Sequence, residues 1–166
     1  MEPTKNIILN SDAIRKKIER MAWQIYEDHA QEKELVFAGI RDKGHIVAQA
    51  LGKKLEEISP LRIRQLEITL DKTNPKQVEL SDKRELNGKT IILVDDVANS
   101  GRTLLYALKP FLEFFPSSIR IAVLIDRSHK SFPITPDYSG YSLSTTLQDH
   151  ILIEMRGEEI EAAFLL

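Results

Sequence analysis

Residues 90–103 read TIILVDDVANSGRT and carry the strongest structural signal in this sequence. The first five form an unbroken, β-branched run, which is typical of a strand covered on both faces in a parallel sheet. Two acids and a turn of small residues follow, and helical periodicity then extends over residues 102–115. The stretch therefore predicts a buried strand, a tight loop and a helix, with two carboxylates at the strand's end.

Strands and helices alternate on both sides of this stretch. Helices are predicted at residues 11–30 and 46–55, where apolar residues recur at the helical spacing. Further strands are predicted at 35–40, 61–70, 119–125 and 151–155, with a weak candidate at 77–80, and a loop containing Pro133, Pro136 and Gly140 precedes the last strand. This alternation predicts an α/β fold with a mostly parallel sheet flanked by helices, whose ligands bind at the C-terminal ends of the strands.

Composition narrows the class of protein. The 166 residues, 42% of them hydrophobic, predict one domain over residues 1–166. The formal net charge of -2 argues against a protein that coats nucleic acid by charge alone. The sequence has no cysteine, which excludes disulfide scaffolds, thiolate zinc sites and thiol catalysis. No stretch approaches the ~18 consecutive apolar residues of a membrane span, so we expect a cytoplasmic protein without a membrane partner.

The acid pair and the loop after it predict a phosphosugar site. Asp95 and Asp96 can accept hydrogen bonds from vicinal ribose hydroxyls or hold Mg²⁺ through water. The loop offers backbone N–H groups, hydroxyls and a helix start, which together favour a phosphate. Its candidate binding residues are Ala98, Asn99, Ser100, Gly101, Arg102 and Thr103. In the alternative reading, the acids only end the strand and Ser100 only caps the helix.

This string resembles the ribose-5-phosphate-binding signature of the type I phosphoribosyltransferases. That signature is four apolar residues, two acids, two more apolar residues and a small loop ending in Gly-x-Thr. The sequence departs from it at Ala98, where a larger aliphatic residue is usual, and at Asn99. Purine-salvage members have an aspartate there that is proposed as a general base, whereas the carboxamide of Asn99 cannot take up a proton. The resemblance therefore disfavours a purine substrate.

Three further segments resemble one branch of that family, the pyrimidine-operon regulators that are also uracil phosphoribosyltransferases. Residues 39–44 resemble the loop that holds the pyrophosphate of 5-phosphoribosyl-1-pyrophosphate (PRPP), residues 65–70 the strand entering the hood over the site, and residues 122–134 the segment that meets uracil. The resemblance implies pyrophosphate-binding residues Arg41, Asp42, Lys43 and Gly44, and base-binding residues Ile125, Asp126 and Arg127.

The resemblance also implies an activity. A Mg²⁺-dependent enzyme of this kind joins uracil to PRPP and releases uridine monophosphate (UMP) and pyrophosphate, with Arg41, Lys43 and Arg127 as the catalytic cations. Relatives assemble as homodimers or larger oligomers. The hood, expected at about residues 62–88, is shorter than is usual, and its Tyr-Arg-Asp-Asp stretch is replaced by Asp71-Lys72-Thr73-Asn74. Lys72 and Lys76 are the nearby cations that can stand in for the missing arginine as point charges.

Two alternatives stay open at this stage. The first is a regulator that binds PRPP or a nucleotide and passes the signal to RNA with little turnover; its candidate RNA surface is the cluster Arg15, Lys16, Lys17 and Arg20. The second is the same enzyme acting on another base. The apolar residues Phe111, Phe114, Phe115 and 162–166 serve either a subunit interface or the core.

Overall fold

A computed structural model describes residues 4–146 and 148–166 and forms two sheets with helices around the larger one. The elements in chain order are β1 (Asn6–Leu9), α1 (Ser11–Asp28), β2 (Glu34–Ile40), α2 (Lys43–Ile58), β3 (Arg62–Leu70), β4 (Val78–Leu80), β5 (Thr90–Ala98), α3 (Arg102–Ala107), a 3₁₀ helix (Lys109–Glu113), β6 (Ser118–Arg127), β7 (Tyr138–Leu143), β8 (Ile151–Arg156) and β9 (Glu159–Leu165).

The central sheet has six strands in the order β4-β3-β2-β5-β6-β7. All neighbouring pairs are parallel except the edge pair of β3 and β4. β5 lies between β2 and β6, and its residues 91–94 are fully buried. The predicted α/β class with a mostly parallel sheet is therefore confirmed.

Helices cover both faces of this sheet, as the apolar run in β5 requires. Ile92 and Val94 point into a core shared with α1 and α2. Ile91 and Leu93 point to the opposite face, into a core shared with α3 and the 3₁₀ helix. Successive side chains of a strand face opposite sides, so residues 91–94, which are buried on both faces, are all apolar.

The helix predicted over residues 102–115 is shorter than expected. It ends at Ala107 and continues as the 3₁₀ helix, which contains Pro110. Proline has no N–H for an α-helical hydrogen bond and clashes with the preceding turn. Phe111 is buried in the core, whereas Phe115 remains 86% exposed, so the two phenylalanines divide between core and surface.

The sequence patterns also missed three strands, β1, β7 and β9. Gly140, expected in a loop, lies in β7, where a Cβ would come within 2.6 Å of the Leu124 carbonyl oxygen. Residues 151–155 form a strand as predicted, but β8 belongs to a separate antiparallel sheet in the order β1-β9-β8. β1 has only four residues, β7 contains Gly and Ser, and β9 is rich in Glu and Ala, so all three carry a weak strand signal and are stabilised by their neighbours.

The segment expected as the hood, about residues 62–88, consists of β3 within the central sheet, β4 at its edge and the connections around β4. Across the described residues, no helix has both the length and the apolar character needed to span a membrane.

Candidate active site

The acid pair lies at the C-terminal end of β5, where the sequence analysis placed it. Asp95 is buried, and its Oδ1 atom accepts a hydrogen bond from the backbone N–H of Asp96 at 2.8 Å. Burial, followed by the nearby charge of Asp96, raises the pKa of Asp95 well above its ordinary value, while Lys72 acts in the opposite direction. The site therefore holds a carboxyl group that needs a cation or hydrogen-bond donors to stay charged.

Lys72 brings a cation to this pair. Its Nζ atom is 3.6 Å from Asp95 Oδ1 and 3.9 Å from Asp96 Oδ1. The local turn that carries Lys72 is stabilised by Asp71, whose Oδ1 accepts hydrogen bonds from the Thr73 N–H (2.9 Å) and hydroxyl (2.7 Å). Of the two lysines considered from sequence, Lys72 is thus the one that the fold places on the acids.

The loop after β5 has the close-packed backbone that its sequence predicted. Gly101 has φ of 90°, a left-handed conformation that favours glycine. The carbonyl oxygen of Ser100 accepts hydrogen bonds from the N–H groups of Ser131 (3.0 Å) and Phe132 (3.1 Å), which support the loop from behind. Because α3 has only six residues, the loop amides and hydroxyls, and no long helix, are the groups available to an anion.

A small pocket joins the loop to the acids. It has a volume of about 60 Å³ and is lined by Lys72, Asp95 and residues 97–104. All six predicted loop residues, Ala98 to Thr103, line it. The structure thus brings a carboxylate, an ammonium group and a hydroxyl-bearing loop together in one concave site.

The predicted pyrophosphate loop follows β2 and adjoins the same site through Gly44. A Cβ on Gly44 would lie 2.8 Å from Asp95 Oδ1, so the first turn of α2 packs directly on the buried acid. Arg41 is exposed, and its Nε atom contacts Asp42 (2.9 Å) and Glu67 (3.6 Å). The Lys43 amine instead donates to the carbonyl oxygen of Ile153 in β8 at 2.7 Å. Arg41 is therefore the more available cation of this loop.

Arg127, at the end of β6, ties three segments together. Its Nη1 donates to Asn99 Oδ1 at 3.2 Å, its Nε to Thr145 Oγ1 at 2.8 Å, and its Nη2 to the Thr146 carbonyl oxygen at 2.7 Å. Its neighbour Asp126 pairs with Lys130. The third predicted base-binding residue, Ile125, has its side chain fully buried in the core. The predicted base-binding segment therefore also orders Asn99, in the loop that is predicted to bind phosphate.

Replacing Arg127 by lysine is expected to loosen these segments, because an ammonium cannot reproduce three donors in a planar fork. Hydrogen–deuterium exchange should become faster at the amides of residues 99–102 and 144–146. Losing two of the three hydrogen bonds corresponds to about tenfold or more in the local opening equilibrium. Arg120→Lys in the same strand, where Arg120 pairs with Asp137, is the matched control and should leave both segments unchanged.

No sequence pattern predicted the contact between Arg102 and the turn that carries Lys72. The Nη2 atom of Arg102 donates to the carbonyl oxygens of Lys72 (2.9 Å) and Thr73 (3.5 Å). Arg102 was expected to bind substrate, yet its guanidinium holds the turn that carries Lys72. The partners are 30 residues apart, so neither periodicity nor local spacing pointed to the contact.

Comparisons with known proteins agree with this arrangement. Residues 5–156 match the family model described as a phosphoribosyl transferase domain. The chain is 32% identical over 163 residues to the bifunctional protein PyrR of Bacillus pumilus, which covers 91% of each protein. It is 34% identical over 159 residues to the bifunctional protein PyrR of Chloroflexus aurantiacus, covering 90% of this chain and 87% of the relative.

Solved structures share the fold at lower identity. The hypoxanthine phosphoribosyltransferase of Trypanosoma cruzi superposes with a TM-score of 0.79 at 17% identity, over 95% of both chains. A hypoxanthine-guanine phosphoribosyltransferase of Bacillus anthracis gives a TM-score of 0.70 at 20% identity, over 86% of this chain and 84% of the other. Likeness at these identities shows the common fold alone.

Proposed function

Because this chain belongs to the phosphoribosyl transferase domain family, in its type I, PyrR-like branch, we propose that it transfers the 5-phosphoribosyl group of PRPP to uracil, giving UMP and pyrophosphate. The observation that carries this proposal is the pocket in which Asp95 meets the loop 97–104. In this pocket, carboxylate oxygens that can bind ribose hydroxyls lie beside a loop that can bind a phosphate.

The acid pair also suits Mg²⁺, the ion that the family implies. Mg²⁺ prefers oxygen donors and commonly keeps several waters, with one or two carboxylates and substrate phosphates completing its shell. A cationic group, the Lys72 ammonium, already lies beside both carboxylates. Asp95 and Asp96 would hold it, and it would neutralise charge on the departing pyrophosphate.

The chain's own residues would act mainly by positioning and by charge. Asp95 and Asp96 accept hydrogen bonds from the ribose hydroxyls, and residues 98–103 donate to the 5-phosphate. Uracil loses its N1 proton to solvent, and N1 then attacks the anomeric carbon as the bond from that carbon to the pyrophosphate oxygen breaks. Positive charge on the ribose develops in the transition state while the leaving group gains negative charge, which Arg41 offsets.

Uracil as the base is supported by Asn99 and by the relatives. The Asn99 carboxamide accepts a hydrogen bond from Arg127 and has no titratable carboxyl group, so a step that needs a general base at this position is unavailable. A pyrimidine whose N1 proton is already acidic does not need that step. The curated relatives carry the name of a pyrimidine regulator, whereas the hypoxanthine enzymes resemble this chain only in fold.

A PRPP-binding regulator that signals to RNA with little turnover is the second candidate, and the word "bifunctional" in the relatives' name favours keeping it. The basic cluster of α1 gives it less support. Arg15 and Lys16 both pair with Asp12, and Arg20 donates to the Gly140 carbonyl oxygen at 2.6 Å. Three of the four cations are thus engaged within the chain, which weakens the case for a free RNA surface.

Two further features belong to the proposal. We expect a homodimer or larger oligomer, and the exposed Leu112 (75%) and Phe115 (86%) offer apolar surface for one. We also expect the protein to act in the cytoplasm, since a chain without cysteine does not depend on an oxidising compartment for its fold.

The test is pyrophosphate release from PRPP and Mg²⁺ with uracil, beside hypoxanthine, guanine, xanthine and no base, with PRPP binding measured in parallel by calorimetry. We expect release that depends on uracil. PRPP binding without release for any base would identify the regulator instead, and release with a purine alone would make the assignment of uracil wrong. Failure to bind PRPP at all would overturn both candidates.

A further inference from the structure

The turn that carries Lys72 is held over the acid pair by contacts that come from the other side of the site. The guanidinium of Arg102, in the phosphate loop, donates to the carbonyl oxygens of Lys72 and Thr73. Farther along, the Lys109 amine donates to the carbonyl oxygen of Lys76 at 2.7 Å. Both contacts are made to the main chain, so they fix the turn while the Lys72 side chain stays free to change rotamer.

The Lys72 ammonium and a divalent cation compete for the same carboxylates. The ammonium lies within 4 Å of both acids. Mg²⁺ binds carboxylate oxygen at about 2.0–2.1 Å, so a cation on Asp95 and Asp96 would meet a like charge only a few ångströms away. Like charges at that distance repel appreciably even at high dielectric. One of the two cations has to move.

We propose that Lys72 is a resident counter-ion of the acid pair, which gives way when Mg²⁺ and PRPP bind and then faces the pyrophosphate, and that Arg102 is the positioning residue that keeps it within reach. This inference rests on the function proposed above. Lys72 stands in for the arginine that the resemblance leads us to expect in the hood. Its ammonium group pairs with the acids in the free site and faces the pyrophosphate in the loaded site.

The contacts distinguish this role from that of a simple surface ion pair. An ordinary exposed pair involves two solvated side chains and contributes little to stability. Here one partner, Asp95, is buried, while the Lys72 side chain is 49% exposed and has solvent to move into. Arg102 belongs to the loop expected to bind the 5-phosphate, so occupation of that loop and the position of Lys72 are linked through one side chain.

The experiment compares Lys72→Met with Lys83→Met, an exposed lysine of the connection between β4 and β5 that makes no ion pair among the described residues. Binding of Mg²⁺ alone, and of Mg²⁺ with PRPP, is measured by calorimetry and by the shift in melting temperature, and kcat and KM are then determined with uracil. Lys72→Arg and Arg102→Lys complete the set.

We expect Lys72→Met to bind Mg²⁺ alone about fivefold more tightly than the wild type, because the competing charge is gone. Its kcat should nevertheless fall about tenfold, since the leaving pyrophosphate loses a cation. Lys72→Arg, which keeps the charge, should restore the wild-type Mg²⁺ affinity, and Lys83→Met should match the wild type throughout. Arg102→Lys should bind Mg²⁺ more tightly, as Lys72→Met does, with faster amide exchange at residues 71–74.

Equal Mg²⁺ affinity in the wild type and Lys72→Met would overturn the inference while leaving the proposed function standing, provided that the wild type binds PRPP and releases pyrophosphate. A parallel loss of kcat in Lys72→Met and Lys83→Met would also overturn it, because the effect would then follow from removing any lysine of residues 62–88. A wild-type protein that binds neither Mg²⁺ nor PRPP would overturn the proposed function and this inference together.

Discussion

The double replacement Asp95→Asn with Asp96→Asn is expected to abolish phosphoribosyl transfer while leaving the fold intact. Asparagine keeps the size of aspartate, and its Oδ1 atom can still accept the hydrogen bond that Asp95 takes from the Asp96 N–H. It removes both negative charges from the site, and with them the hold on Mg²⁺ and the charged acceptors for the ribose hydroxyls. We expect kcat/KM to fall by at least about 10²–10³, the range for losing a group that stabilises transition-state charge.

The same variant should be more stable than the wild type near neutral pH in the absence of Mg²⁺. Burial raises the pKa of Asp95 in the folded protein above its unfolded value of about 3.8, so the folded state binds this proton more tightly. Stability of the wild type is therefore lost as the pH rises from the unfolded pKa through the raised folded pKa. Asparagine does not titrate, and the variant escapes that loss.

Urea unfolding at a series of pH values from 4 to 8, in the presence of a chelator, measures this difference. The stability gain should grow as the pH rises toward the raised pKa of Asp95. Asp96→Asn alone is the control and should account for the smaller part of the gain, because burial raises the pKa of Asp95 more than the charge of Asp96 does. Unchanged affinity for PRPP and Mg²⁺ in the double variant would remove both acids from the site.

The second large effect is expected from Gly44→Ala, one methyl group at the start of α2. The added Cβ would lie 2.8 Å from Asp95 Oδ1, 2.9 Å from Asp95 Cα and 2.9 Å from the Val94 carbonyl oxygen. Two of these atoms are backbone in the central strand, so α2 or β5 has to shift. Overpacking of this kind costs about 1–3 kcal/mol in the free energy of unfolding. A displacement of reacting groups by about 1 Å costs on the order of 10²-fold in rate.

Gly52→Ala in the same helix is the matched control for this variant. Its Cβ would meet Gln65 Nε2 at 2.4 Å and Ile63 Cγ2 at 3.0 Å, both of which are side-chain atoms away from the acids. Gly52→Ala should lose less stability in chemical denaturation, because the Gln65 amide can swing aside where the backbone at Gly44 cannot, and only Gly44→Ala should lose most of its activity. Equal activity losses would show that the contact between Gly44 and Asp95 does not matter for the site.

Secondary structure was predicted most accurately from the sequence where it depends on residues adjacent in the chain. Residues 90–103 hold the strand, the acids and the loop next to one another in the chain. The apolar run suits a strand buried on both faces, and Gly101 suits the left-handed conformation of the turn. The helix after them was predicted too long, because the periodicity continued past Pro110. β7 was missed for a related reason, since Gly140 indicates a turn by itself and a strand only beside Leu124.

The sequence by itself determined the family, the α/β class, the central strand and the positions of Asp95, Asp96 and the loop after them, since these depend on neighbours in the chain. Only the tertiary structure decided that Lys72 faces the acids, that Arg102 holds its turn, and that the Lys43 amine binds the Ile153 carbonyl oxygen. Those contacts join residues between 23 and 110 positions apart. Long, flexible cations accept many partners, and which partner is within reach depends on how the strands order themselves in the sheet.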